Sequence, residues 1–489
     1  MKKKHLLKRA LFTAAVTVTL IFLFYTVLSY WGRNEWSKAQ AELRAKGETL
    51  ELSQLIPPDV PEQDNFFATP LWQELLDPEN KKPRLLKFKE ALGGEKPFAL
   101  LRRNRGAEVF STLLDLDAIS ELYQKRGLIP ENRPPSNSAQ SIMDAMSGAN
   151  EGLKELQESS LRPEAKFPLA YEKTFAMPLP HITHLMGISR FLQLHSAAEA
   201  ALGRGDLAEK DVSLIFRLAE TLEKEPILII QLVRSSILQT GAISVWEGIF
   251  YQCWTTEQLE QLEDLLRKID VIPGLAKALR GERAMTVHTI EPFTRDSDMS
   301  YFAGLLGDFP LSNEPFPSLS QITMGYQLYP KGLIFDDLAN YSRIMQYAIE
   351  AVSDAKLSPM AMDRAIQDNY TENLFGTRLF TRIVSASIIG SKFKILETTA
   401  RIREAIIACR LERYYLAEGT YPDSLQSLSD LPPDPATGKP FKYKKQPAGG
   451  YQLWSVGTDG EDNQGKPINN QNSQGDWVWT MSSQRPSQR

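Results

Sequence analysis

An uncharged run from Ala10 to Gly32, rich in Leu, Ile, Val and Phe, constrains this chain more than any other stretch. One helix of that length spans the roughly 30 Å of a bilayer's hydrocarbon core. Lys2, Lys3, Lys4, Lys8 and Arg9 precede the run, and Tyr25, Tyr30 and Trp31 stand at its far end. Basic residues gathered on one side hold that side in the cytoplasm, and aromatic rings suit the opposite interface, so the chain from Arg33 onward is expected outside the cytoplasm. The competing reading is a cleaved signal peptide with Val27 and Ser29 before the cut. Against it, the apolar core exceeds the usual length of about 7–15 residues and no Ala-x-Ala site follows. Either way, the bulk of the chain lies outside the cytoplasm.

Length and composition bound the remainder. At 489 residues the chain exceeds one ordinary core, which predicts an anchor followed by more than one folded region. A hydrophobic share of 42% with 24% charged residues is that of globular protein. With 56 basic against 60 acidic residues there is neither a basic stripe nor an acidic tail, which disfavours nucleic acid as a partner. Cys253 and Cys409 are too far apart in sequence to make a metal-ligand spacing. They can pair or stay free and buried, and the sequence leaves that choice open.

Taken in order, residues 1–33 form a basic tip and anchor, and 34–70 a short helical stretch leading into the stiff connector Ile56-Pro57-Pro58-Asp59-Val60-Pro61. Residues 71–138 read as short helices broken by Pro78, Pro83, Gly93-Gly94 and Pro97, ending in a loop at 130–138. From 139 to 395 the pattern is helical. Val212, Ile215, Phe216, Ala219 and Leu222 share one face; Leu259, Leu262, Leu266 and Ile269 share another, opened by a Thr255/Gln258 capping box. Turns are expected at Gly203 to Asp206 and Tyr251 to Trp254. Arg190 to Leu222 resembles a helical-hairpin repeat, but no second copy follows at a fixed period. Pro292 to Pro330, rich in Pro, Gly and aromatic residues, reads as a long excursion that either packs over the array or forms a binding surface.

Residues 396–480 begin with a helix carrying Ile402, Ala405, Ile406, Cys409, Leu411, Tyr414 and Tyr415, which stops where Gly419 can take a left-handed cap. Tyr421-Pro422-Asp423-Ser424-Leu425 follows. Alternation at Phe441 to Lys444 and Tyr451 to Val456 predicts a hairpin about Pro447 to Gly450, and Asp476-Trp477-Val478-Trp479 can add an edge strand. The sheet is expected on the helix through Ile406, Tyr414 and Leu425; residues 481–489 read as a disordered tail. The fold class is therefore mainly α: a transmembrane helix, an irregular antiparallel helical array and a small C-terminal α+β module.

With Asp434-Pro435-Ala436-Thr437-Gly438 and Ser455-Val456-Gly457-Thr458-Asp459-Gly460, that module resembles the C-terminal half of the type II secretion major pseudopilin. Trp36 through Gly47-Glu48, Pro57 to Pro61 and Asn65-Phe66-Phe67-Ala68-Thr69-Pro70-Leu71 resemble the juxtamembrane stretch of a family of membrane-anchored bacterial proteins without an assigned activity. The pseudopilin resemblance implies calcium as a cofactor, held by Ser455, Asp459 and Asp476. Here the loop between Asp462 and Asp476 departs from the compact Gly-rich form, and the alternative is an Asp-Gly turn that only reverses the chain. The N-terminus lacks the pseudopilin Gly-Phe-Thr-Leu-Ile-Glu processing site, so a filament subunit is not expected.

Other chemistry is sparse. His181, His184 and His195 invite a metal, yet His184 and His195 would lie about 16 Å apart on one helix. No Asp, Glu or Cys at ligand spacing completes a site at His181 and His184. No Gly-x-Ser-x-Gly elbow, phosphate-binding loop or His-Glu-x-x-His helix occurs. The expectation is an interaction or scaffold protein, held in the membrane by its first helix and meeting a protein partner in the envelope, in assembly or secretion. The alternatives are an envelope-acting hydrolase with a spatially assembled site beside the 292–330 loop, and a C-terminal module that needs calcium to fold.

Overall fold

A computed structural model describes residues 2–77, 80, 84–92, 110–129, 137–291, 330–353, 379–447, 449–467 and 475–482. The expected loop at 292–330 and the tail at 481–489 thus lie almost wholly outside the described residues, as does most of the 130–138 loop. Helix α1 (Lys2–Ala45) is continuous, with no break between the apolar run and the stretch beyond Arg33. It stops at Gly47, whose φ of 75° closes the helix. The Gly47 amide donates to the Arg44 carbonyl and the Glu48 amide to that of Leu43, which satisfies the last carbonyls.

The helices that follow are α2 (Pro70–Gln73), α3 (Leu86–Ala91), α4 (Leu116–Lys125), α5 (Ser138–Met146), α6 (Asn150–Ser160) and α7 (Pro180–Ala201). Then come α8 (Gly205–Glu220), α9 (Leu228–Phe250), α10 (Thr256–Arg267), α11 (Ile272–Ile290), α12 (Lys331–Ser353) and α13 (Leu379–Glu418). Strands β1 (Lys442–Lys445), β2 (Gly450–Ser455) and β3 (Trp477–Ser482) form one antiparallel sheet in the order β1-β2-β3. The structure is thus mainly helical with a small sheet near the C-terminus, as the sequence pattern predicts.

The large apolar side chains between Leu7 and Val27 are exposed on α1, and none of the described residues covers them. From Leu28 the helix is built into the body. Gly32 faces Gly332 of α12 so closely that a Cβ on Gly32 would lie 1.9 Å from the Gly332 carbonyl oxygen, and one on Gly332 2.0 Å from that of Leu28. Beyond this crossing Trp36 and Ala39 pack against Val287, Ile290, Ile334, Phe335, Leu338 and Ala339 of α11 and α12. Arg343 pairs with Glu42 at 2.8 Å, and Lys46 with Glu350 at 2.7 Å. These exposed pairs add at most about 1 kcal/mol each.

Glu48, just past the end of α1, makes the stronger tie. It accepts from Arg280 at 2.9–3.1 Å and from the fully buried Arg283 at 2.6 Å, which also donates to Gln346 of α12. Burial alone would raise the Glu48 pKa, but the two guanidinium groups outweigh it and hold the carboxyl below its ordinary value.

Helix α9 is apolar enough to cross a membrane, yet 72% of its apolar window is buried, and it serves here as the central core helix. It touches α7, α8, α11 and α13. The α7–α8 and α9–α10 turns fall where the sequence places them, and the Thr255/Gln258 capping box forms. Helix α13 lies between α9 and α10 on one side and β2 and β3 on the other. Its Ile402, Ala405, Ile406, Cys409 and Leu411 are buried, and Gly419 takes its left-handed cap. Tyr414 is half-buried and outside the core; Tyr415, one position on, instead stacks on Tyr421 at 4.8 Å, which in turn meets Tyr451. Spacing alone did not separate these two adjacent tyrosines.

The sheet is held to the array by specific bonds. Trp246 of α9 donates its indole N–H to the Thr480 carbonyl at 2.9 Å, and Arg401 of α13 donates to that of Val478 at 2.9 Å. The Thr480 amide donates to the Phe110 carbonyl, so a residue from the N-terminal half covers the β3 edge. Phe110 stacks on Trp479 beneath the Arg401 guanidinium. One apolar core runs from Leu52 to Met481, and the residue-396 boundary falls inside α13. Cys253 and Cys409 are both free.

Because Arg283 is buried, Glu48→Ala should cost about 3 kcal/mol by leaving its charge without a partner. Thermal unfolding of the detergent-solubilised chain checks this; a loss below about 1 kcal/mol would show the pair to be dispensable.

Candidate functional site

The C-terminal loop brings two of the three expected calcium ligands together. Asp459 accepts from the Glu461 amide at 3.0 Å and from the Asn463 side chain and the Gly475 amide at 3.2 Å. Asp476 accepts from the Asn463 amide at 3.2 Å and the Gly465 amide at 2.7 Å. Asn463 therefore bridges them. Ser455 turns elsewhere: its hydroxyl donates at 2.7 Å to Asp434, a buried carboxylate that also accepts from the Ala436 and Val456 amides. Burial raises the Asp476 pKa, the amides of Asn463 and Gly465 oppose that, and the nearby charges of Asp462 and Asp459 reinforce it. Among the described residues no group of three or more His, Cys, Asp or Glu side chains is placed to hold a metal. As arranged, the acidic oxygens organise backbone, as in a chain of Asx turns.

The histidines do not converge either. His181 is fully buried, stacked on Phe167 at 4.2 Å and edge-on to Phe67 at 5.7 Å, with no hydrogen-bond partner for either ring nitrogen. Burial pushes its pKa down to about 3, so it stays neutral. His195 pairs through Nδ1 with Asp211 of α8 at 2.6 Å inside the α7–α8 hairpin. Burial disfavours the imidazolium there, but Asp211 and Glu199 outweigh it and raise the His195 pKa. Glu199 is also bonded to Arg204 at the turn. This cluster is a buried tie between two helices.

One open feature among the described residues is not revealed by the sequence. A cleft of about 440 Å³ lies between the last turns of α1 and α11, lined by Gln40, Arg44, Thr49, Glu51, Gln54 and His288. Arg44, Glu51, Gln54 and His288 are exposed, while Glu48 on its wall is held by Arg280 and Arg283. Its lining offers donors and acceptors of both signs, together with the apolar Leu43, Leu50, Leu52 and Val287. Its residues come from two stretches more than 200 positions apart, which no spacing rule connects. The hydrolase alternative placed its site beside the 292–330 loop, and that groove lies outside the described residues.

Compared with known proteins, the chain matches no family model, no curated protein and no solved structure.

Two outcomes follow from this geometry. Because Asp459 and Asp476 already accept loop amides, adding calcium or EDTA should leave the melting temperature unchanged; a clear rise with calcium would mean that the loop rearranges into an ion shell. The His181 pKa lies below its unfolded value, so the unfolded chain alone takes up that proton as pH falls from about 6.5 to 3. Stability is full above that window and drops through it, by up to about 1.4 kcal/mol per pH unit. His181→Phe should flatten the fall in melting temperature over the same range.

Proposed function

We propose that this chain is a single-pass, membrane-anchored interaction protein whose body stands on the outer side of a bacterial cytoplasmic membrane and contributes to envelope assembly or secretion. The observation that carries the reading is the division of α1: an apolar band from Ala10 to Val27 that no described residue covers, running without a break into a segment built into the body. The basic residues before the band support the outward orientation. The layering of α13 over β1–β3 supports kinship in form with the pseudopilin C-terminal half, and thereby a place among envelope assembly components. The polar cleft beside the end of α1, on the part of the body away from the apolar band, is the surface on which a partner segment can bind.

The reading predicts that a C-terminal alkaline phosphatase fusion is active while a C-terminal fusion to a cytoplasm-only fluorescent reporter stays dark. It further predicts that photocrosslinkers at Gln54 and His288 capture one defined envelope protein in intact cells. Reporter activity of the opposite pattern would overturn the orientation. Crosslinks at background level at both positions would overturn the cleft as the contact.

A further inference from the structure

Seen along α1, the body begins where the bare apolar band ends. The uncharged, exposed stretch from Ala10 to Val27 is 18 residues, about 27 Å at 1.5 Å per residue, so a hydrocarbon core of roughly 30 Å already reaches the first residues beyond Val27. The next residue, Leu28, is already 9% exposed and docked, so no spacer separates membrane from protein. Resting on the membrane-anchor reading above, we propose that Arg33 and the first turn of α12 lie in the lipid headgroup layer, so that the body is seated on the bilayer surface rather than tethered above it.

Three observations place that turn. First, α1 and α12 are parallel and in step: Leu28 meets Gly332, Glu42 meets Arg343 and Lys46 meets Glu350. The beginning of α12 is therefore its membrane-facing end, level with Leu28 to Gly32. Second, the two glycines let the helix backbones touch there, which keeps α12 from splaying away from α1 at that level. Third, the groups at this height have interfacial chemistry. Tyr30 is 77% exposed and Trp31 38%, as rings at a headgroup boundary are. The Arg33 guanidinium sits 5.7 Å from the centre of the Phe335 ring on the first turn of α12, and Lys331 lies one residue before Gly332. The Arg33 cation beside amphipathic rings matches the phosphates of a lipid surface. Helix α11 runs the other way, with Ile290 packed near Trp36 and Arg280 up at Glu48, so its beginning points away from the membrane.

The test uses the full-length chain with Cys253 and Cys409 replaced by alanine, in vesicles of phosphatidylethanolamine and phosphatidylglycerol. A fluorophore is attached in turn at Leu20→Cys, Lys331→Cys and the exposed Lys268→Cys, against lipids carrying a quencher on the headgroup or midway down the acyl chain. The expected result is that the label at 20 loses most of its emission to the acyl-chain quencher. The label at 331 loses most of its emission to the headgroup quencher, and the label at 268 loses none to either. If 20 is quenched as expected while 331 behaves like 268, the seating is overturned and the anchor stands; if 20 is unquenched, the anchor reading itself fails and takes the seating with it. Gly332→Leu, with helix content checked by circular dichroism, should reduce the quenching at 331 and leave that at 20 unchanged. Gly32→Leu serves if that variant does not fold. Undiminished quenching at 331 in a folded variant would overturn the role of the glycine crossing.

Discussion

A helix buried on most of its surface has to be enclosed, and α9 is such a helix. Ile230, Ile237, Leu238, Ala242, Val245, Trp246 and Ile249 are all buried, and so are its polar Gln231, Arg234 and Glu247. The hairpin of α7 and α8, then α11 and α13, supply the enclosure. Around this core the remaining architecture is arranged in succession: α12 covers α11 and α13, α1 covers α12, and the sheet covers the far side of α13. The hydrophobic gain of about 25 cal/mol per Å² acts over this whole chain of contacts, which is why one core joins Leu52 to Met481.

Charged groups enter that core in bonded sets. Glu263, 2% exposed, is held by Arg267, Arg410 and Arg413, so α10 and α13 share one carboxylate. Arg283 joins the turn after α1 to α12 through Glu48 and Gln346. Tyr171 reaches Glu225, and His195 reaches Asp211. Such sets contribute little net stability beyond what apolar side chains would, but they admit only one alignment of the helices they join. They fix which helix lies beside which where apolar packing alone would allow slippage.

Much of this was legible before any coordinates. Periodicity found the α8 and α10 faces because a half-buried helix repeats its apolar residues, and the capping box at Thr255 announced a helix start. The hairpin and edge strand followed from alternation at Tyr443, Tyr451 and Trp479. What stayed hidden depends on partners distant in sequence. Gly32 and Gly332 carry no pattern individually; their meaning lies in the approach of two backbones 300 positions apart. The continuity of α1 past Arg33 was obscured because its apolar run and its amphipathic stretch show different periodicities, the first exposed all round and the second packed on α12. Ser455 and Asp459 stand close in sequence, yet strand β2 ends between them, and Asp434 takes the serine hydroxyl. The cleft beside α1 was invisible for the same reason: spacing rules read one element at a time.

The enclosure of α9 also has an order in time. Its last residue, Phe250, is synthesised well over a hundred positions before the first residue of α13, so at roughly 5–20 residues per second the helix waits many seconds for one of its covering partners. During that interval it presents an apolar stretch long enough to cross a bilayer. The hydropathy that makes α9 the centre of the finished fold thus makes it a second candidate for lateral entry into lipid while the chain is incomplete. Its contacts with α7 and α8, both already made, are the cover available to it in that interval.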